Sequence, residues 1–222
     1  MPEVTRINLW GLVNAYLVRE PDGLTLIDTT LPQGAKRILA AARDLGAPIR
    51  RIALTHAHGD HIGALDRLHA ELPEAEVIIS TRDARLLAKD RTLDSGEPQI
   101  KLRGGYPGAE TRPTRTVADG EMVGSLRVIA NPGHTPGHVA FLDERDRTLF
   151  CGDTLSTLGG MATSARLNPR FPLIFMGTWS RPMVLDSARA LRALDPARLA
   201  PGHGRIVERP AAEMDAAIAR AS

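Results

Sequence analysis

One six-residue run, His56-Ala57-His58-Gly59-Asp60-His61, places three imidazoles and a carboxylate directly after a short apolar strand, Arg51 to Thr55. On a helix His56 and His58 would point apart, whereas on a tight loop after a strand they can converge. Small Ala57 and Gly59 permit that sharp turn with little steric conflict. The same arrangement recurs at His134 in Pro-Gly-His, at Asp153 in Gly-Asp and at His203 in Pro-Gly-His-Gly. Five of the seven histidines thus follow strand-to-turn junctions. Imidazole and carboxylate are the ligands that borderline divalent cations prefer, and loops at strand ends are where α/β layers place their sites. Five His and two Asp are too many for one tetrahedral ion and suit two ions sharing a bridge.

The rest of the chain alternates short strands with amphipathic helices. Val4 to Leu9, Val13 to Val18 and Leu24 to Ile27 read as strands, with Pro21-Asp22-Gly23 as a turn. Ile38, Leu39, Ala42 and Leu45 share a helical face that Gly46 and Pro48 end. Ile62, Leu65, Leu68 and Leu72 predict a helix beginning just after His61; Val77 to Ser80 predicts a strand and Arg82 to Lys89 a helix. In the second half, Leu126 to Ala130, Val139 to Leu142 and Thr148 to Cys151 read as strands. Helices follow through Val184, Ala188 and Leu191, and from Pro210 through Met214 and Ala217. No linker divides residues 1–222, which are expected to form one domain. Residues 91–112 and 156–179 fit neither period, and loops this long are usually functional.

Composition removes several functions. The longest apolar run, Ile38 to Ala42, is far short of the roughly 20 residues of a membrane-spanning helix. Met1 to Trp10 shows no apolar leader run. The net charge is only +2, with no basic cluster interleaved with aromatics, so neither nucleic acid nor membrane is an expected partner. Cys151 is the single cysteine, which excludes an internal disulfide and makes a reducing cytoplasm the default location. With no Lys or Arg near it in sequence, Cys151 reads as packing. Ser156 and Ser164 have no spare His for a triad. His69, in a polar helix, reads as structural.

The set THAHGDHIG, NPGHTPGH, FCGDT and APGHG, with the early Leu26-Ile27-Asp28-Thr29 strand end, resembles the metallo-β-lactamase-fold hydrolase superfamily over nearly the whole chain. The resemblance implies an α/β fold of the αββα type, a four-layer sandwich of two mixed β-sheets with helices on the outer faces. It implies that His56, His58 and His134 hold one metal, that Asp60, His61 and His203 hold another, and that Asp153 bridges them. Asp28 would support the ligands from behind, and His138, after Gly137 and before a strand, reads as a further support or as structural, not as a ligand. The cofactors expected are two divalent ions, zinc first, with manganese or iron as alternatives.

Departures narrow the subfamily. β-Lactamases of this fold lack a bridging Asp, and flavodiiron proteins put Glu where His58 stands. Acyl-homoserine lactonases carry Tyr three residues after the bridge, where this chain has Ser156. Glyoxalase-II-like enzymes have a longer basic tail, and RNase-Z-like enzymes a basic exosite. What remains is an unassigned small hydrolase, in which a hydroxide held between two metals attacks an ester, thioester, lactone or related bond while Asp60 passes a proton to the leaving group. Phosphodiester cleavage and a single-iron oxygenase of the persulfide-dioxygenase type, using His56, His134 and Asp153, are the alternatives; a non-catalytic scaffold is disfavoured by the intact ligand set. The apolar 156–179 segment reads as a lid, with Phe171 and Phe175 on an acyl or aromatic small-molecule substrate and Arg166 and Arg170 at its rim. The same segment also suits a homodimer contact.

Overall fold

The computed structural model describes residues 4–222. The first three residues of the expected 1–222 domain and of the Met1–Trp10 stretch lie outside the described part. The first half opens with β1 (Val4–Leu9), β2 (Val13–Glu20) and β3 (Gly23–Ile27), which pair antiparallel. After a 3-10 turn at Pro32–Gly34 come α1 (Ala35–Asp44) and β4 (Ile49–Ala53). Next are α2 (Gly59–Ile62), α3 (Leu65–Glu71), β5 (Glu76–Ser80), α4 (Thr81–Leu87) and β6 (Arg115–Val117). β3 to β6 run parallel, completing a mixed sheet in the order β1-β2-β3-β4-β5-β6.

The second half supplies β7 (Met122–Val123), β8 (Leu126–Ala130), β9 (Val139–Asp143) and β10 (Thr148–Gly152). A small hairpin follows, β11 (Leu155–Ser156) with β12 (Ala162–Thr163), then α5 (Leu173–Gly177) and α6 (Arg181–Ala193). β13 (Arg198–Pro201), β14 (Val207–Glu208) and α7 (Ala211–Ala219) close the chain. The second sheet is also mixed, ordered β14-β13-β10-β9-β8-β7.

The period of two along the strands assigns each side chain to a layer. Tyr16, Val18 and Ile27 face inward and meet Val128, Phe141 and Phe150 of the other sheet. Leu17, Leu24 and Leu26 face outward onto Ile38 and Ala42 of α1 and onto Leu65 and Leu68 of α3. On the far side Leu142 and Leu149 pack against Leu191 of α6 and Met214 of α7. Burying each such Leu contributes about 1.5–3 kcal/mol by removing its apolar surface from water. The layers are therefore helix, sheet, sheet, helix, as the motif resemblance implied.

Two expectations need correction. Asp60 and His61 do not precede their helix; they occupy the first turn of α2, which starts at Gly59 after His58. The helix expected through Leu72 is broken at Gly63 and Ala64, where a Cβ on Gly63 would strike Pro32 and the Thr30 carbonyl. The 156–179 segment contains a hairpin and a short helix, elements too brief to leave a period in the sequence. Residues 91–112 are irregular as expected. No helix among the described residues is long and apolar enough to cross a membrane.

Candidate metal centre

The site lies at the carboxyl ends of β3, β4, β8, β10 and β13, along one edge of the sandwich, where open α/β sheets place ligands. Asn14 of β2 and Tyr16 tie the two sheets together there. Tyr16 Oη donates to the Pro201 carbonyl at 2.6 Å, and the Asn14 amide donates to the same oxygen at 2.9 Å. This fixes the end of β13 from which His203 emerges.

Three groups of ligand atoms converge, each within 4.8 Å: His56, His58 and His134; His56, His61 and Asp153; and Asp60, His61 and His203. Asp153 stands between the outer two. Its Oδ1 is 3.3 Å from His61 Nε2, and its Oδ2 is 3.1 Å from His203 Nε2 and 3.4 Å from His134 Nε2. Asp60 Oδ2 lies 3.5 Å from His203 Nε2 and 3.9 Å from His61 Nε2.

The hydrogen bonds behind the rings determine which nitrogens carry lone pairs. The Thr55 hydroxyl gives its proton to Asp28 at 2.8 Å, so it accepts from His56 Nδ1 at 3.0 Å. Thr178 gives its proton to the Ile174 carbonyl and accepts from His134 Nδ1 at 3.0 Å. His58 Nε2 donates to the Arg103 carbonyl at 3.0 Å, His61 Nδ1 to Asp28 at 2.8 Å and His203 Nδ1 to the Leu12 carbonyl at 2.7 Å. With one proton per ring, the remaining nitrogen of all five rings is a lone pair aimed into the cluster. His56 Nε2, His61 Nε2 and Asp153 Oδ1 are buried there without a hydrogen-bond partner. His58 Nδ1 and His134 Nε2, two lone pairs, face each other 3.0 Å apart. Buried polar atoms left this way are costly unless a cation satisfies them. The residues therefore fit divalent metal ions.

Electrostatics divides the cluster. Burial and the surrounding imidazoles push His56 well below its usual pKa. Burial lowers His134 as well, outweighing the opposing pull of Asp153. Burial also lowers His61 and His203, yet the carboxylates around them prevail, Asp153 foremost, and both end raised. Asp153 is correspondingly held well below the carboxylate range, its burial outweighed by His203 and His61.

The support behind the ligands is mostly legible from the motif. Asp28 accepts from Thr55 N, Thr55 Oγ1 and His61 Nδ1, each at 2.8 Å. His138 Nε2 accepts from the backbone N–H of Asp153 at 3.0 Å, which commits it to holding that residue's backbone. Asp83 was not singled out in the sequence, because it looks like any first-turn helix residue. It accepts from Ala57 N at 2.9 Å, Thr135 Oγ1 at 2.7 Å and Gly137 N at 2.8 Å, clamping the two His-bearing loops together. Burial pushes its carboxyl up to about 6 despite those donors. Each donor stranded by Asp83→Ala costs about 1–3 kcal/mol. The variant is expected to lose about 3 kcal/mol or more of stability, read as a fall in the denaturant midpoint. Two glycines complete the cradle. Gly104, with φ of +87°, leaves no space for a Cβ beside His58 Nε2, and a Cβ on Gly202 would fall on Asp153 Oδ1.

Above the cluster opens a cavity of about 500 Å³. His58, Asp60, His134, Asp153 and His203 form its polar floor, and Leu12, Leu31, Phe171, Leu173, Ile174 and Met176 its walls. Phe171 stacks beside His203, with ring centroids 4.9 Å apart. Phe175 does not line the cavity: α5 turns it outward, under the Arg181 guanidinium at 3.9 Å. Arg166 and Arg170 do not line it either. Arg166 reaches the Arg220 carbonyl behind α7, and Arg170 is exposed beside Gly159. Leu12 and Leu31 are walls that the sequence did not reveal, because nothing in their own segments marks proximity to β10. Burial pushes the Cys151 thiol up to about 12, which leaves it inert at neutral pH.

A two-sheet sandwich carrying a His/Asp cluster at one sheet edge defines a metallohydrolase of the αββα class. The chain belongs to the metallo-β-lactamase superfamily, whose family model matches residues 8–203. An uncharacterized protein of Bacillus subtilis (strain 168), YobT, is 44% identical over 94% of this chain and 90% of its own length. A hydroxyacylglutathione hydrolase of Rhodopseudomonas palustris (strain BisA53) is 32% identical over 85% of this chain, which spans only 61% of that relative. Among solved structures, TTHA1623 in a di-iron-bound form superposes with a TM-score of 0.70 at 29% identity, covering 93% of this chain and 96% of that one. The BLEG-1 B3 metallo-beta-lactamase shares the fold at a TM-score of 0.72 and 22% identity, covering 96% and 97%.

Proposed function

We propose that the protein hydrolyses an acyl thioester or ester of a small apolar acid at a dinuclear centre. The observation that carries this reading is the cavity: its floor is the ligand cluster, its walls are apolar, and among the described residues no Lys or Arg lines it. His56, His58 and His134 would hold one ion, and Asp60, His61 and His203 the other, with Asp153 shared. Zinc, manganese or iron suits this His/Asp set. When bound, such ions supply Lewis acidity at the acyl oxygen and acidify a water. The protein does the rest. Phe171, Leu173 and Ile174 exclude bulk water and align the acyl chain over the floor. In the overall reaction the oxygen of water bonds to the acyl carbon and the carbon–sulfur or carbon–oxygen bond breaks. The leaving atom takes a proton, which Asp60, part-exposed at the cavity floor, is placed to deliver. The likeness to hydroxyacylglutathione hydrolases supports a thioester.

A series of thioesters and esters of increasing acyl length, turned over by the metal-loaded protein, tests the reading. Phe171→Ala is expected to raise KM about tenfold for long chains, roughly the loss of one large apolar contact, and little for acetyl. Phe175→Ala is expected to leave the chain-length profile in place. Failure to hydrolyse any thioester or ester in the series would overturn the proposal.

A further inference from the structure

A second depression, of about 610 Å³, adjoins the active-site cavity, and the two share Gly104 and Met176 as their common border. Its character is opposite. Lys101, Arg103 and Arg181 line it, beside Ile100 and Trp179. Several arginines on this molecule's surface are tied to carboxylates, as Arg51 is to Asp22, Arg85 to Asp94 and Arg198 to Glu208. Among the described residues no carboxylate forms an ion pair with Lys101, Arg103 or Arg181. Three cations without a carboxylate partner around one depression raise the local positive potential and attract an anion.

The floor of this depression is not loose surface. Trp179 Nε1 donates to the Ile100 carbonyl at 3.0 Å, joining the 100–103 segment to the start of α6. The Arg103 carbonyl receives His58 Nε2, so the same segment touches the metal cluster. A substrate with its reacting carbon over the cluster has two directions in which to extend. One is the apolar cavity, and the other crosses Gly104, which lacks a side chain, into the cationic depression.

We propose that the depression lined by Lys101, Arg103 and Arg181 binds the leaving group, and that this group is a thiol or alcohol carrying a negative charge some atoms from the scissile bond. The acyl half is then neutral and apolar, and the departing half anionic. This rests on the hydrolase reading above. A carboxylate and a phosphate meet the same requirement, and the test separates them.

Three thioesters sharing one medium-chain acyl group supply the comparison: N-acetylcysteamine as the neutral thiol, N-acetylcysteine as the carboxylate and phosphopantetheine as the phosphate. Wild-type protein is expected to show kcat/KM at least tenfold higher for one or both anionic thioesters, and the advantage is expected to shrink in high salt. Lys101→Gln combined with Arg181→Gln should cut the anionic-to-neutral ratio at least fivefold; Arg103 is kept because its carbonyl holds His58. A wild-type ratio near one, or a ratio unchanged in the double variant, would overturn the proposal. Should the double variant fail to fold, the salt dependence of the wild-type ratio decides. Binding of the S-methyl derivatives of the two anionic thiols, measured by calorimetry, reads the depression without turnover. Binding that weakens in the double variant, with no thioester hydrolysed, would sustain the anion site and refute the hydrolase. Absence of both binding and hydrolysis would refute both.

Discussion

Asp153→Asn is expected to abolish turnover and to reduce metal retention to a single ion per chain. The carboxylate lies between the two groups of imidazoles, within 3.4 Å of His61, His134 and His203 nitrogens. Asn keeps the shape but removes the negative charge that would face two cations, and it turns an NH₂ toward lone pairs. A change one shell further out costs about 10–100-fold in metal affinity or activity, so a shared ligand must cost more. His69→Asn, in α3, serves as the control and is expected to change neither stoichiometry nor turnover. Equal behaviour of the two variants would refute the role given to Asp153.

Asp28→Asn is the second large effect. Asp28 sits at φ of +57°, a conformation Asn also tolerates, so the substitution tests chemistry and not backbone strain. The carboxylate accepts three hydrogen bonds and fixes the His61 tautomer. An amide can satisfy only part of that set, which frees His61 to rotate or to carry its proton on the wrong nitrogen. Metal affinity at the Asp60, His61 and His203 group is expected to fall about 10–100-fold. The His56, His58 and His134 group is expected to weaken less, because Asp28 reaches it only through the Thr55 hydroxyl that accepts from His56 Nδ1. Titration with a chelator as competitor reads the two separately, and equal weakening of both would contradict this division.

The layered fold was legible in the sequence because its long strands and amphipathic helices obey strong periods. Tyr16 and Leu17 go to opposite faces of β2, and Ile38 and Ala42 to one face of α1. The convergence of His56, His58, His61, His134, Asp153 and His203 was legible for a different reason: all but His61, which rides on the first turn of α2, follow closely on a strand end beside a small residue. Substrate contacts were not. Phe171 and Phe175 are indistinguishable in an aperiodic segment, and only the folded structure sends Phe171, just before α5, to the cavity and Phe175, within α5, to Arg181. Asp83 was missed because its value lies in three donors from remote loops, which no local pattern encodes. Leu12 and Leu31 reach the cavity wholly through tertiary placement.

Equilibrium metal analysis across pH decides whether the protein holds two ions per chain. Ligands must be unprotonated to coordinate, so protons compete with metal. In the metal-free protein the carboxylates hold the His61 and His203 pKa values up, whereas burial keeps those of His56 and His134 down. As pH falls, protons therefore displace the ion at Asp60, His61 and His203 first. The expected result is two ions per chain at about pH 7.5, falling to one as the pH is lowered, with the His56, His58 and His134 group still loaded. A stoichiometry fixed at one at about pH 7.5, in saturating zinc, manganese and iron alike, would contradict the account.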